Sequence, residues 1–448
     1  MTNKKYTHSR ISRFSKISKS LVVAGAQMAG AKIKEKINTI DLNKSNLDEV
    51  KNRVKAAREI IEMMGSLKGG LMKLGQMISI TEDLVLPPEI AALFKQLQKS
   101  APPMKSSQVN LMFMESFGKK PHEIFEKFNL TPIAAASIGQ VHEAWTKDGQ
   151  KVAVKVQYPK IKSAIQSDFK NMNNIKSIFR VIFPNLPNID NYLEEMKRSI
   201  IDECNYYQEK ENIEWFRQYL MPRIDGLYIP KVFDEYSSET ILTMEFVSGD
   251  PIEVAKKYPK ESRDRLGQIL FDVHMLSLYE LNKVHTDPQN GNYLFNQNGV
   301  ILLDFGSVRS FPKEFIDSYI KLIQSIENKD FESYRKTIQY VGFLTDDADI
   351  PLIREHFKII SDLYLPYTKK GIYSVDKRNP FKMIEGFVKS VNLKGRKTPR
   401  EEFLLLDRSN LGFYTKVKYL ESEINWLDKK FEAWDNFYRD FNLKKEID

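Results

Sequence analysis

The chain has 448 residues, 42% of them hydrophobic and 11% aromatic, enough for one large two-lobed domain or two to three ordinary ones. A single cysteine, Cys204, excludes an internal disulfide framework and fits a reducing compartment, and the six scattered histidines show no zinc-ligand spacing. The net charge of +9 points to an anionic partner, whether nucleic acid, a phosphate-rich ligand or a membrane surface.

Much of that excess sits at the start. Residues 1–36 carry Lys4, Lys5, Arg10, Arg13, Lys16, Lys19, Lys32, Lys34 and Lys36 against one acid, Glu35, while Ile11, Phe14, Leu21 and Val22 share one helical face. Three readings stay open: a basic amphipathic segment on an anionic membrane, an organellar transit peptide, or a solvated tail. No stretch reaches eighteen consecutive apolar residues, so no transmembrane helix is expected. Between Leu47 and Ile80, apolar residues recur at three- and four-residue steps and predict helix, with Gly69-Gly70 a plausible break. Within it, Lys73 and Gln76 share a face beside Gly75; alone, that pair reads as solvated surface.

After Pro102-Pro103 a helix is predicted over 107–117, and then the period changes. Residues 132–156 read as strand, turn, strand, turn, strand, with Asp148-Gly149 as a hairpin turn. In a kinase-like fold the first turn would carry glycines closing over phosphates; here it holds Ala134, Ala135, Ala136 and Ser137, a stiffer backbone. Lys155 ends the alternation Val-Ala-Val-Lys of a buried strand, where a lysine needs an anionic partner: a phosphate, with a helix carboxylate holding it in place. Helices are predicted over 160–182 and 190–220. The second carries the candidate carboxylates Glu203 and Glu209, which, six residues apart on one helix, cannot point the same way. Residues 228–247 read as two strands joined at 236–239 and leading to a hinge, where backbone groups near Glu245 and Val247 could read an adenine edge.

The strongest signal follows. His-Thr-Asp287-Pro-Gln-Asn-Gly-Asn292 and Asp304-Phe-Gly, downstream of Val-Ala-Val-Lys155, have the spacing of a loop carrying a catalytic base and one metal ligand, then a short strand pair ending in a second ligand. The predicted fold is α+β and two-lobed, kinase-like, with a helical N-terminal extension. Its expected parts are a basic segment (1–40), the extension (41–105), a small lobe (106–247) and a mainly helical large lobe (248–448).

Lys73-x-Gly-Gln76, the Ala-Ala-Ala-Ser loop, Val-Ala-Val-Lys155, Glu203 with Tyr206, Glu209 and Asn212, Asp287 to Asn292, and Asp304-Phe-Gly together resemble the UbiB/AarF family of atypical protein-kinase-like proteins, linked to ubiquinone and isoprenoid-lipid metabolism. The resemblance runs from roughly residue 47 to 420 and implies ATP and Mg2+ as ligands. It also implies Lys155 on phosphates with Glu209 as its partner, Asn292 and Asp304 on magnesium, Asp287 as the base, the helical N-terminal extension packed over the active site, and a regulatory contact of its Lys73 and Gln76 with Glu203. Two departures stand out: Glu203-Cys204-Asn205 where the family has Glu-x-Asp, and Gln289-Asn290 where it has His-Pro. Two functions follow from the resemblance. One is an ATPase or phosphotransferase for small or lipid-associated substrates. The other is a catalytically weak nucleotide-binding scaffold for lipid-biosynthesis enzymes. An isoprenoid or quinone-precursor lipid and an anionic membrane are the expected partners. No nucleic acid is expected, since no motif supports one. The expected location is cytoplasmic, with or without peripheral membrane attachment, or mitochondrial if the basic start is a transit peptide.

Overall fold

Strand alternation builds the small lobe around one antiparallel sheet. The protein is represented by a computed structural model describing residues 103–136, 138–169, 176, 194, 197–198, 200–341, 349–368, 371–374 and 400–445. The basic segment, the extension with Lys73 and Gln76, and Ser137 lie outside the described residues.

Helix α1 (Ser106–Phe117) buries Val109, Met112 and Phe113, spaced at three- and four-residue steps, and ends at Gly118 in the left-handed conformation. Strands β1 (Lys127–Phe128), β2 (Ala134–Ala135), β3 (Gly139–Trp145) and β4 (Lys151–Gln157) follow. The β3–β4 hairpin runs in unbroken register from Gly139 opposite Gln157 to Trp145 opposite Lys151, closed by the predicted Asp148-Gly149 turn. Val152, Val154 and Val156 are fully buried on one face of β4. The period of two therefore sends Lys155 to the other face. After α2 (Ile161–Phe169) and α3 (Tyr206–Tyr219), the strand β5 (Leu227–Tyr228) is followed by β6 (Ile241–Glu245), which completes the small-lobe sheet in the order β1-β3-β4-β6.

Two expectations are corrected here. The helix predicted over 190–220 breaks at Cys204-Asn205, and the Asn205 side chain accepts a hydrogen bond from the Gln208 amide as the N-cap of α3. Asparagine competes for backbone amides and so favours a helix start over a helix interior. The pair of strands predicted over 228–247 also divides. Residues 231–233 do run against 243–245, with Phe233 N–H donating to Thr243 O and Glu245 N–H to Lys231 O. Leu227–Tyr228, however, joins the large lobe by pairing parallel with residues 300–301. Gly226 and Gly299 permit this: a side-chain carbon on either would overlap the backbone of the facing segment.

The large lobe is mainly helical. Its helix α4 (Lys260–Met275) leads through a wide turn, Leu276–Glu280, to β7 (Val284–His285). Then come β8 (Tyr293–Asn296), β9 (Gly299–Leu302) and β10 (Val308–Arg309). Sheet β5-β9-β8 and the β7–β10 pair frame the candidate loop. Helix α5 (Lys313–Glu327) buries Phe315, Ile316, Tyr319, Ile320, Ile323 and Ile326 along one stripe. Helices α6 (Phe331–Tyr340) and α7 (Ile350–Thr368) pack beside it. Strand β11 (Ile372–Ser374) pairs with β12 (Glu423–Asn425), which lies between α8 (Glu401–Leu420) and α9 (Leu427–Lys445). Helix α8 lies against α4, where Phe413 contacts Phe271, His274 and Trp426. Among the described residues no helix is long and apolar enough to cross a membrane.

Candidate active site

Lys155 is the meeting point of the two lobes. Its Nζ donates to Glu209 Oε1 at 2.8 Å and Oε2 at 3.0 Å, and to Asp304 Oδ2 at 2.8 Å. The Tyr206 ring lies 5.0 Å from the ammonium. Burial opposes the lysine's charge, but Asp304 and Glu209 reverse that and hold it well above its usual range. Burial likewise opposes ionisation of Asp304; Lys155 and the Gly306 amide outweigh it and keep this carboxyl below its usual range. Glu209 is 1% exposed, and burial pushes its carboxyl up against the pull of Lys155.

Helix α3 is held against Asp304-Phe-Gly by a stripe at three- and four-residue steps. Glu209 binds Lys155, Asn212 Nδ2 donates to Phe305 O at 3.0 Å, and Phe216 packs on Phe305 with ring centroids 4.9 Å apart. Glu203 enters the same place by another route. A side-chain carbon at Gly306 would sit 3.2 Å from Glu203 Cγ and 3.7 Å from Glu209 Oε2. The break at Asn205 puts the two glutamates on different segments, so one helical period does not set their relative direction. Cys204, between them, is buried, and burial pushes its thiol up to about 12.

The candidate catalytic loop is fixed from both ends. Thr286 N–H donates to Ser307 O at 2.8 Å, joining the loop to the strand after Asp304. His285 Nδ1 accepts from the Asp287 amide at 3.2 Å, which leaves Nε2–H to donate to Asp304 O. Burial lowers the His285 pKa and favours this neutral ring. Asn292 Nδ2 donates to Asp287 O at 3.1 Å, and its Oδ1 accepts from Gln289 Nε2 at 2.8 Å. The departure at Gln289 thus has a use: its amide orients the candidate ligand Asn292. Asn292 and Asp304 supply two hard oxygens, few enough to suit a magnesium that retains water and phosphate as its other ligands. Among the described residues there is no group of three or more acidic, histidine or cysteine side chains that could hold a metal alone.

The remaining predicted positions frame the cleft. Ala134 and Ala135 pair with Val141 and Gln140, and Ala136 N–H donates to Gly139 O at 3.0 Å, so the alanine loop is a tight, hydrogen-bonded turn. At the hinge, the Glu245 carboxylate accepts from Tyr228 Oη at 2.5 Å, and Val247 is half-buried.

Helix α8 was not anticipated at the site. Arg408 donates to Asp287 Oδ1 at 3.1 Å, Ser409 Oγ donates to His285 O at 3.2 Å, and Lys416 Nζ donates to Pro288 O. Asp287 is only 3% exposed under this cover. The sequence signal was faint: two cations and a glycine at four-residue steps, 408, 412 and 416, in a helix of mixed polar and apolar residues.

A two-lobed α+β architecture, with an antiparallel small-lobe sheet facing a helical large lobe across a lysine–carboxylate link, is that of a kinase-like protein. Residues 96–338 match the ABC1 atypical kinase-like domain. The chain belongs to that family, the UbiB/AarF atypical kinases. It is 30% identical over 94% of its length to the probable serine/threonine-protein kinase abkA of Dictyostelium discoideum, of which it covers 78%. It is also 30% identical over 85% of its length to the mitochondrial atypical kinase coq-8 of Caenorhabditis elegans, of which it spans 51%. Among solved structures, the Mycobacterium tuberculosis Rv3197–erythromycin complex shares the fold, with a TM-score of 0.58 at 24% identity, over 88% of this chain and 99% of that one.

Proposed function

We propose that this chain uses Mg-ATP as an atypical kinase-like ATPase or phosphotransferase, acting on a small or lipid-associated substrate in ubiquinone or other isoprenoid-lipid metabolism. The observation that carries the reading is the link from Lys155 to both Glu209 and Asp304. A buried lysine held by two carboxylates, one of them a candidate metal ligand, is organised to receive phosphate and cation together.

In this reading Lys155 orients the phosphates and Glu209 keeps it in place. Asn292 and Asp304 hold magnesium, which when bound would neutralise phosphate charge. Asp287 accepts the proton of the attacking water or acceptor hydroxyl. Backbone groups near Glu245 and Val247 read the adenine edge, and the alanine loop from Ala134 to Ser137 covers the phosphates. Lys73 and Gln76 belong to the proposed extension that covers the site, with Glu203 as partner. The lipid assignment is supported by family membership and by relatives named for coq-8. Their mitochondrial designation favours the alternative in which the basic start is a transit peptide.

Phosphate release from Mg-ATP by the purified protein, compared with Asp287→Asn, tests this. The variant should lose at least about a hundredfold in rate, the range for removing a general base. Equal release by both proteins would leave the nucleotide-binding scaffold as the better account.

A further inference from the structure

Helix α8 grips the candidate catalytic loop with one stripe of side chains. Gly412 lies against Pro288, and a methyl group there would overlap the proline ring. One turn on, Lys416 is 2% exposed. Its Nζ donates to Pro288 O and to Gly412 O, the latter at 3.4 Å, and lies 4.2 Å from the centre of the Tyr293 ring. Among the described residues no carboxylate lies within ion-pairing distance of it; Asp287 acts on it only at longer range.

Burying an ammonium without a carboxylate partner is costly. A position that needed only volume would hold methionine or leucine at lower cost. Such costs persist where the group has a use. The carbonyl that Lys416 engages lies in the Pro288–Gln289 peptide, one residue beyond Asp287, so it anchors the rigid proline that follows the candidate base.

We infer that Lys416, seated over Gly412, is a positioning residue that sets the orientation of Asp287 through the Pro288 carbonyl. This rests on the proposed Mg-ATP chemistry, and it predicts a stability penalty accepted for the sake of turnover. Burial of Lys416 brings its pKa down to about 7, consistent with such a penalty.

The test compares full-length wild type with Lys416→Met in phosphate release from Mg-ATP and in thermal unfolding. The expected result is a kcat about tenfold or more lower, as misplacement of a reacting group implies. KM for ATP should stay within about twofold, and the unfolding temperature should equal or exceed that of the wild type. Gly412→Ala, which displaces Pro288 while keeping the lysine, should give the same fall in kcat if it folds. Unchanged kcat in Lys416→Met, or a fall in kcat accompanied by a lower unfolding temperature, overturns the inference and leaves a packing residue. No phosphate release by the wild type itself overturns the proposed function, and this inference with it.

Discussion

Replacing Lys155 by methionine keeps the apolar stem and removes the ammonium shared by Glu209 and Asp304. Three charge-assisted hydrogen bonds, at 2.8, 3.0 and 2.8 Å, disappear. Asp304 is 26% exposed and keeps the Gly306 amide, so Glu209, at 1% exposure, carries most of the penalty. Breaking a buried pair by removing one partner costs about 3–5 kcal/mol, and the lower end suits a site with one half-open carboxylate. The penalty depends on pH with a definite sign. Burial already pushes Glu209 up to about 7, and losing the lysine pushes it higher, above the ordinary 4.5 of the unfolded chain. A group with a raised folded pKa contributes its full stability below the unfolded value and loses it as pH rises through the folded value. Urea unfolding of variant and wild type should therefore show a deficit of about 3 kcal/mol at pH 8 that shrinks by about 1 kcal/mol near pH 5, because the two proteins differ in protonation only above the wild-type value of about 7. An equal deficit at both pH values, or none at either, would refute the assignment of Lys155 and Glu209 as a buried ion pair.

Asp304→Asn should weaken Mg-ATP binding far more than binding of metal-free nucleotide, because a hard cation loses an anionic oxygen; calorimetry with and without magnesium measures this. Identical Mg-ATP affinities would remove Asp304 from the metal site. If residues 1–36 bind membranes through their charge, vesicles should retain the protein only when they contain anionic lipid, and added salt should release it. Equal sedimentation with anionic vesicles after deletion of the segment would refute that role.

Local period carried the sequence reading a long way. The alternation around Val152–Val156, the Asp148-Gly149 turn, the helix before Gly118 and the strand ending at Leu302 all rest on contacts close in sequence, and the structure contains each of them. The failures are tertiary. Nothing in a helical period shows that Asn205 will start a new helix and swing Glu203 and Glu209 towards the same glycine. Nor does the apolar stretch near Leu227 show which lobe claims it, because that depends on how closely Gly226 and Gly299 allow two backbones to approach. Arg408 and Lys416 lie more than a hundred residues beyond Asp287, and only the packing of α8 on α4 brings them back to it.

The route of the chain at Leu227–Tyr228 has a mechanical consequence. After α3 the backbone runs down to pair with β9, returns to the small lobe at the bridge between Val232 and Met244, and descends again to the bridge between Asp250 and Phe295. The lobes are thus joined by three successive covalent crossings, residues 220–226, 229–231 and 246–249, instead of by one strap. Several attachments leave a swinging motion about the line through them and resist rotation about any direction perpendicular to it. Lys155 and Asp304 meet across the lobes, so a swing that widens the cleft between them stretches their bond. Opening the cleft and unfastening its lysine are therefore one event.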